Sequence, residues 1–597
     1  MSRPTIGRRT QALASLATAA TLGLAAVAVT TTPARSAAPV GDCATAFPVA
    51  DLVPGDLVTG LTVTRGTTPG GFTGEVLGVL DDGIGPDLDM IMVDLNSPEI
   101  DRIGIWQGMS GSPVYADDGR LIGAVAYSLA QGASTVAGVT PFDAMDDHLG
   151  GAAEQVAVDQ ATARTIARRT DAGFAQAARG FAQLPMPVGV AGVGAQRLAA
   201  AADRAGDRSW LPRSAFSVGR AAPDVADVDD IVAGGNLAAS MAYGDVSIAS
   251  VGTATSVCNG RVVGFGHPAA WAGATTLGLH PADAIHIQDD IIAGFKVANL
   301  GGLAGTITQD RLAGITGELG VLPSTADVDV TVSSGDHVRT GVSHVPLRTP
   351  DVLASTTFYS LIANHQAVVD GPVTGTEALT WTITGTEGDG TPFELSSGDR
   401  FASAFDLIWD VGFEVGDMVY LLAQIEGVTI DSVTTSSDVT DVVSAFRLSG
   451  LEAKRNGEWV KVGRRSGLVV KAGRTLVARA NLISTGTGET LVVPVRLDVP
   501  RSFSGRLAML QVVGGSSTWP GRMPNTIDKV RDWLDEQVRN DEILVALSRA
   551  GRGSHRTAVV KSDGYHRGAR GPRTVESVLG PIDGVARGGL MTIVMVR

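Results

Sequence analysis

The chain has 597 residues, more than one hydrophobic core normally holds, so several domains are expected. Aromatic residues make up only 5% while 44% is hydrophobic and 75 residues are glycine, so the core must be mainly Val, Leu, Ile and Ala, which favours strands and tight turns. The net charge of −15, from 62 acidic against 47 basic side chains, repels a phosphate backbone and sets nucleic acid aside as a partner.

Residues 1 to 36 read as a signal peptide. "MSRPTIGRRT" is basic, "LASLATAATLGLAAVAV" is apolar, and "TTPARSAAPV" is a small-residue region suited to cleavage. A secreted or cell-envelope location is therefore expected. The alternative is an uncleaved anchor, against which the apolar run is short and threonine-rich. Only Cys43 and Cys258 are present, and an even count in an exported chain suggests a bridge. Closing so long a loop would contribute on the order of 5 kcal/mol in the chain-entropy model. Two buried free thiols are the other reading.

From 44 to 150 short strands alternate with turns: "DLVTGLTVT", "GEVLGVL", "MIMVDL", "SPVYA" and "LIGAVAYS" are separated by "GTTPGG", "DDGIGPD" and "DDGR". This is barrel-like material. Residues 151 to 225 turn alanine-rich, with Phe174, Ala178 and Phe181 spaced as on one helical face, and read as a helical insertion. Strand texture returns over 226 to 324 in "YGDVSIASVGTATSV", "GRVVGFGHP" and "GGLAGTITQDRLAGITGELG". Residues 325 to 500 read as β-rich, immunoglobulin-like material, clearest in "TLVARANLIS" and "TLVVPVRLDV" joined by "TGTGE". The rest, 501 to 597, reads as a small α/β tail. It holds a helix capped at Asn525 with Ile527, Val530, Leu534 and Val538 on one face, then a basic end rich in Arg and Gly that could meet an anionic surface.

The chemistry centres on "GIWQGMSGSPVYADDGRLIGAVAYS". A serine hydroxyl attacks only when a base accepts its proton and donors stabilise the charge on the attacked carbonyl. In "QGMSGSP", Gly108 lets a backbone N–H turn inward and Ser110 supplies a second, a candidate oxyanion hole, while Gly111 clears space for an acyl group. The following hairpin, with Asp-Gly at its turn, places Ser110 at a strand start. A structural glycine turn would carry the same residues. The G-x-S-x-G elbow does not fit, because position 112 is serine.

The first histidine is His148, so any base follows the serine. His267 has the most suggestive setting, a glycine-flanked imidazole where "GRVVGFGHPAAWAG" runs from a strand into a proline. His280 and His286 lack metal-ligand spacing, and no metal or cofactor is expected. His337, His344 and His365 lie in ordinary texture.

With "GTATSVCNGRVVGFGHP" and "GTITQDRLAGITGELG", these blocks resemble the SpoIVB peptidase family of serine peptidases over roughly 47 to 150 and 240 to 322. The resemblance implies a trypsin-like double β-barrel, peptide-bond hydrolysis with Ser110 as nucleophile and His267 as its partner, and self-cleavage in some members. The family's order is permuted here, serine before histidine, and no PDZ module precedes them. Its expected acid falls near Ser97, which leaves Asp94, Glu99, Asp101 and, further off, Asp245 as candidates. The reading is an exported serine endopeptidase acting on protein or peptide, with an inactive, peptidase-like envelope scaffold as the alternative. An acyl-transfer esterase would use the same residues.

Overall fold

The computed structural model describes residues 43–597 apart from 130–131, 148–154, 185–187, 214, 218, 220, 223, 291–293, 464–467, 520, 523 and 550–573. The expected signal peptide and most of the basic C-terminal run lie outside the described residues.

The early strands close on themselves. Leu57–Thr62, Gly70–Gly85 and Leu88–Asn96 form consecutive antiparallel pairs, Leu88–Asn96 pairs with Val136–Pro141, and that strand pairs with Leu121–Leu129. Pro113–Ala116 joins Leu121–Leu129 back to Leu57–Thr62, completing a ring of six. Val58, Val76, Ile91, Val93, Ile122, Val125 and Val139 fill one shared core, so short aliphatic side chains do the work the composition assigned them.

A second ring of six follows the same logic. Its order is Asn236–Gly244, Ser247–Cys258, Arg261–Gly264, Gly314–Leu319, Gly305–Arg311 and Gly273–His280, which returns to Asn236–Gly244. Leu237, Ala239, Val257, Val262, Leu277, Ile307 and Ile315 make its core. The protein is thus mainly β with two closed six-stranded barrels, as the double-barrel expectation requires.

The alanine-rich region holds helices Gln160–Arg169, Phe174–Ala177 and Ala195–Arg204, but not a continuous helical face through Phe181. Gly180 adopts φ +78, a left-handed value that ends the turn, and Phe181–Gln183 becomes a strand beside Leu121–Leu129. Gly189–Ala191 then joins the second barrel beside Ser247–Cys258.

Beyond the second barrel its sheet continues through His337–Val345, Ala326–Ser334, Thr429–Thr440, Gly375–Thr386 and Pro392–Ser403. Against it pack two helices, Pro350–Val369 and Ile408–Ala423, where the sequence suggested strands alone. Pro350–Val369 is buried from Val352 to Ile362 without interruption, so no polar face marks it as a helix. Two five-stranded sheets then share a core that includes Leu448, Ala480, Val495, Leu510, Val545 and Val594. This module runs from Ala445 to Val596, so the expected boundary at 500 falls inside it. Thr475–Ser484 and Thr490–Asp498 form the anticipated hairpin, with Leu476, Ala478, Ala480 and Leu482 buried. The last helix is Ile527–Asp535 with Thr526, not Asn525, at its N-cap, and Val538 lies beyond its end. No helix among the described residues is long and apolar enough to cross a membrane.

Cys43 and Cys258 form a disulfide, with Cα atoms 4.7 Å apart. It joins the start of the described chain to the end of the strand Ser247–Cys258.

Candidate active site

Ser110 lies in a glycine loop between the helix Pro98–Ile103 and the strand Pro113–Ala116. Ser97 accepts from Ile100 N at 3.2 Å as the helix's N-cap, so the place of the expected acid is taken by a capping residue. Both barrels grip the loop. Gly111 N donates to Val125 O at 2.8 Å and Val125 N to Ser112 O at 3.0 Å, extending the hairpin ladder through the loop. From the second barrel, Thr253 N donates to Ser110 O (2.8 Å), Thr253 Oγ1 to Gly108 O (3.1 Å) and Thr255 Oγ1 to Gly111 O (2.7 Å). On a third side Lys296 N donates to Gln107 O at 2.9 Å, and Gln107 N to Gly294 O at 2.7 Å.

The two glycines are required by space as well as by φ. Gly108 (φ +94) packs against Lys296, whose Cβ would lie 2.7 Å from an added β-carbon. Gly111 (φ +95) clears backbone, not an acyl group: its added β-carbon would fall 2.5 Å from Phe265 N and closer still to Thr253 O. Among the described residues, neither the Gly108 nor the Ser110 N–H donates a hydrogen bond. Both residues are buried, so the two donors stand free in a water-poor place.

His267 follows the strand Arg261–Gly264 through a strained turn, with Phe265 at φ +69 and Gly266 at φ +72. Thr140 Oγ1 donates to Gly266 O at 2.6 Å, so the first barrel holds this turn too. The imidazole Nε2 lies 2.8 Å from Ser110 Oγ, and Nδ1 lies 2.8 Å from Pro268 O. A carbonyl can only accept, so Nδ1 carries the hydrogen and the bare Nε2 accepts from the serine hydroxyl. The Gln183 amide nitrogen is 3.2 Å from Nδ1; a half-turn of the amide presents its oxygen there instead. Burial pushes the His267 pKa down to about 4, opposed by the Pro268 carbonyl, so the ring is neutral at pH 7. A neutral imidazole in this tautomer can take a proton from the hydroxyl it faces.

No carboxylate among the described residues bonds to the ring. Asp94 accepts from Thr135, Asp101 from Asn96, and Asp245 pairs with Arg339 at 2.7 Å. Asp310, which the sequence reading did not single out, accepts backbone hydrogen bonds from the loop after His267. Gln183 was read as helical, and Lys296, buried with Nζ 2.9 Å from Asn236 Oδ1, carried no local signal.

Of the other histidines, His280 is buried with Nε2 2.8 Å from Ser240 Oγ and Nδ1 3.1 Å from Gly301 O. It repeats the serine–imidazole–carbonyl pattern without a glycine loop beside the serine. His365 bonds Glu377 at 3.0 Å inside the helix-and-sheet region, and His344 bonds Asp327 at 2.8 Å. Among the described residues no group of three His, Cys, Asp or Glu side chains is arranged to hold a metal. A cavity of about 560 Å³ lies against the helix Ile408–Ala423, lined by Trp381, Phe413, Glu414 and Trp533, with neither Ser110 nor His267 in its wall.

No family model, curated protein or solved structure matches the chain.

Proposed function

We propose that the protein is an exported serine endopeptidase of the SpoIVB type, with Ser110 as nucleophile, His267 as general base, and the Gly108 and Ser110 N–H groups as the oxyanion hole. The observation that carries this reading is the 2.8 Å contact between Ser110 Oγ and an imidazole nitrogen whose partner across the ring rests on a carbonyl. In the reaction the hydroxyl oxygen adds to the substrate's carbonyl carbon as Nε2 takes its proton. The carbonyl oxygen becomes negative between the two N–H groups. The imidazolium then returns the proton to the departing amine, and water releases the acyl group by the same steps in reverse order. The substrate class is protein or peptide; an ester substrate would meet the same groups.

A second reading is favoured by one observation: Ser110 and His267 both have 0% relative exposure. An inactive, peptidase-like protein of the cell envelope could retain this pair as packing. A fluorophosphonate probe separates the two. Labelling of the wild type and none of Ser110→Ala supports the peptidase, whereas no labelling of folded, mature protein supports the scaffold.

A further inference from the structure

We propose that Asp310 is the positioning residue of His267, acting through the peptide group that joins Pro268 to Ala269. The inference rests on the reading of Ser110 and His267 as the reacting pair.

Asp310 is fully buried near the end of the strand Gly305–Arg311, directly opposite Gly273 in the ladder. That register points its carboxylate at the loop entering the neighbouring strand. Oδ1 accepts from Ala269 N at 2.7 Å, and Oδ2 accepts from Ala270 N at 2.8 Å and Ala272 N at 3.1 Å. Three N–H groups on one buried carboxylate are charge-assisted bonds of the stronger kind.

The loop needs such an anchor. Phe265, Gly266, Trp271 and Gly273 all take left-handed φ values, +69, +72, +53 and +69. Two of these residues are bulky aromatics, for which that conformation is unfavourable, so local preference does not hold this path. Asp310 does.

The coupling to the imidazole is geometric. The N–H of Ala269 and the C=O of Pro268 belong to one planar peptide unit and, in the trans form, point in opposite directions. Asp310 grips the N–H, and the C=O meets His267 Nδ1 at 2.8 Å. Fixing one end of a rigid plane fixes the other. A negative charge on the N–H side also polarises the peptide and strengthens its oxygen as an acceptor. The acid therefore serves the histidine from one peptide away, with Gln183 as a second neighbour of the same nitrogen.

The test uses the full chain labelled with ¹⁵N in histidine, with His267 assigned by its absence in His267→Gln. The wild type is expected to show a protonated Nδ1 and a bare Nε2 between pH 5 and 8. Asp310→Asn, which puts an N–H₂ where an acceptor is needed, is expected to mix the tautomers. It should also slow fluorophosphonate labelling about 10- to 100-fold, as a misplaced base would. Asp310→Glu should recover part of the rate. A folded Asp310→Asn protein with the wild-type tautomer and rate overturns the proposal. So does a wild type carrying its proton on Nε2, a result that does not depend on Asp310→Asn folding. Should the wild type resist the probe, the peptidase reading falls while the imidazole spectra still decide the role of Asp310.

Discussion

Gly111 and Thr253 belong to different barrels and touch: a β-carbon added at Gly111 would lie only 1.9 Å from the Thr253 carbonyl oxygen. Gly111→Ala must therefore push the barrels apart at the loop that carries Ser110. We expect it to cost more than about 3 kcal/mol in chemical denaturation. Gly119, at φ +83 with nothing within 4 Å of its added β-carbon, provides the control, and Gly119→Ala should cost only about 1 kcal/mol. Equal losses would mean that φ alone, and not the contact, governs Gly111.

The acid limb of the reaction follows from His267. In the proposed reaction its neutral form is the base, and burial holds its pKa at about 4. The probe-labelling rate should stay level from neutral pH down to about 5, then fall roughly tenfold per unit below 4. A midpoint near 6.5 would show that the ring is solvated in the reacting state.

Stability has its own pH dependence, with a sign that can be worked out. His267 and His280 are each pushed from 6.5 to about 4, so between those values the unfolded chain binds the extra protons. The two rings' contribution to stability is fullest above about 6.5 and is lost as pH falls toward 4, by on the order of a few kcal/mol. It is opposed by Glu414, which burial pushes up to about 8, by Asp399, which burial pushes up to about 6, and by His365, whose pKa Glu377 raises against the pull of burial. The wild-type curve therefore sums opposing slopes, and the difference between wild type and His280→Asn isolates one of them. In urea titrations from pH 7.5 to 4, His280→Asn should gain on the wild type as pH falls. A difference that does not change with pH would contradict the burial of His280.

Lys296 is held where burial disfavours its charged form. Burial lowers its pKa from 10.5 to about 7, and its ammonium has one named partner, Asn236 Oδ1 at 2.9 Å. Because the native state disfavours the charged form, its stability contribution improves as pH rises from 7 to above 10. Lys296→Met keeps the stem that packs on Gly108 and should be at least as stable as the wild type at pH 7, the advantage shrinking by pH 10. A loss above about 2 kcal/mol at pH 7 would place the value of Lys296 in its hydrogen bond to Asn236.

Much of the first barrel was legible in the sequence, because most of its strands are runs dense in aliphatic residues set between Asp-, Gly- and Pro-rich turns. Ser110 and His267 stood out for a local reason: both are set among glycines whose left-handed backbone only a tight turn requires. What surrounds them is set by long-range register. Asp310 reaches the histidine loop because it faces Gly273 across a ladder, and nothing within "TITQDRLAG" reports that pairing. Gln183 looked helical from the alanines before it, but Gly180 breaks the chain into a strand that binds Leu121–Leu129. The helix Pro350–Val369 escaped notice because burial on every side erases the periodicity by which helices are read.

The bond between Cys43 and Cys258 encloses the entire first barrel, Ser110 included, and stops nine residues short of His267. Any single cut of the backbone from residue 44 to 257 therefore leaves two fragments that travel together until a reductant is added. The polypeptide can be nicked between its serine and its histidine and still migrate as one particle, which makes continuity of the main chain dispensable for keeping those side chains in the same molecule.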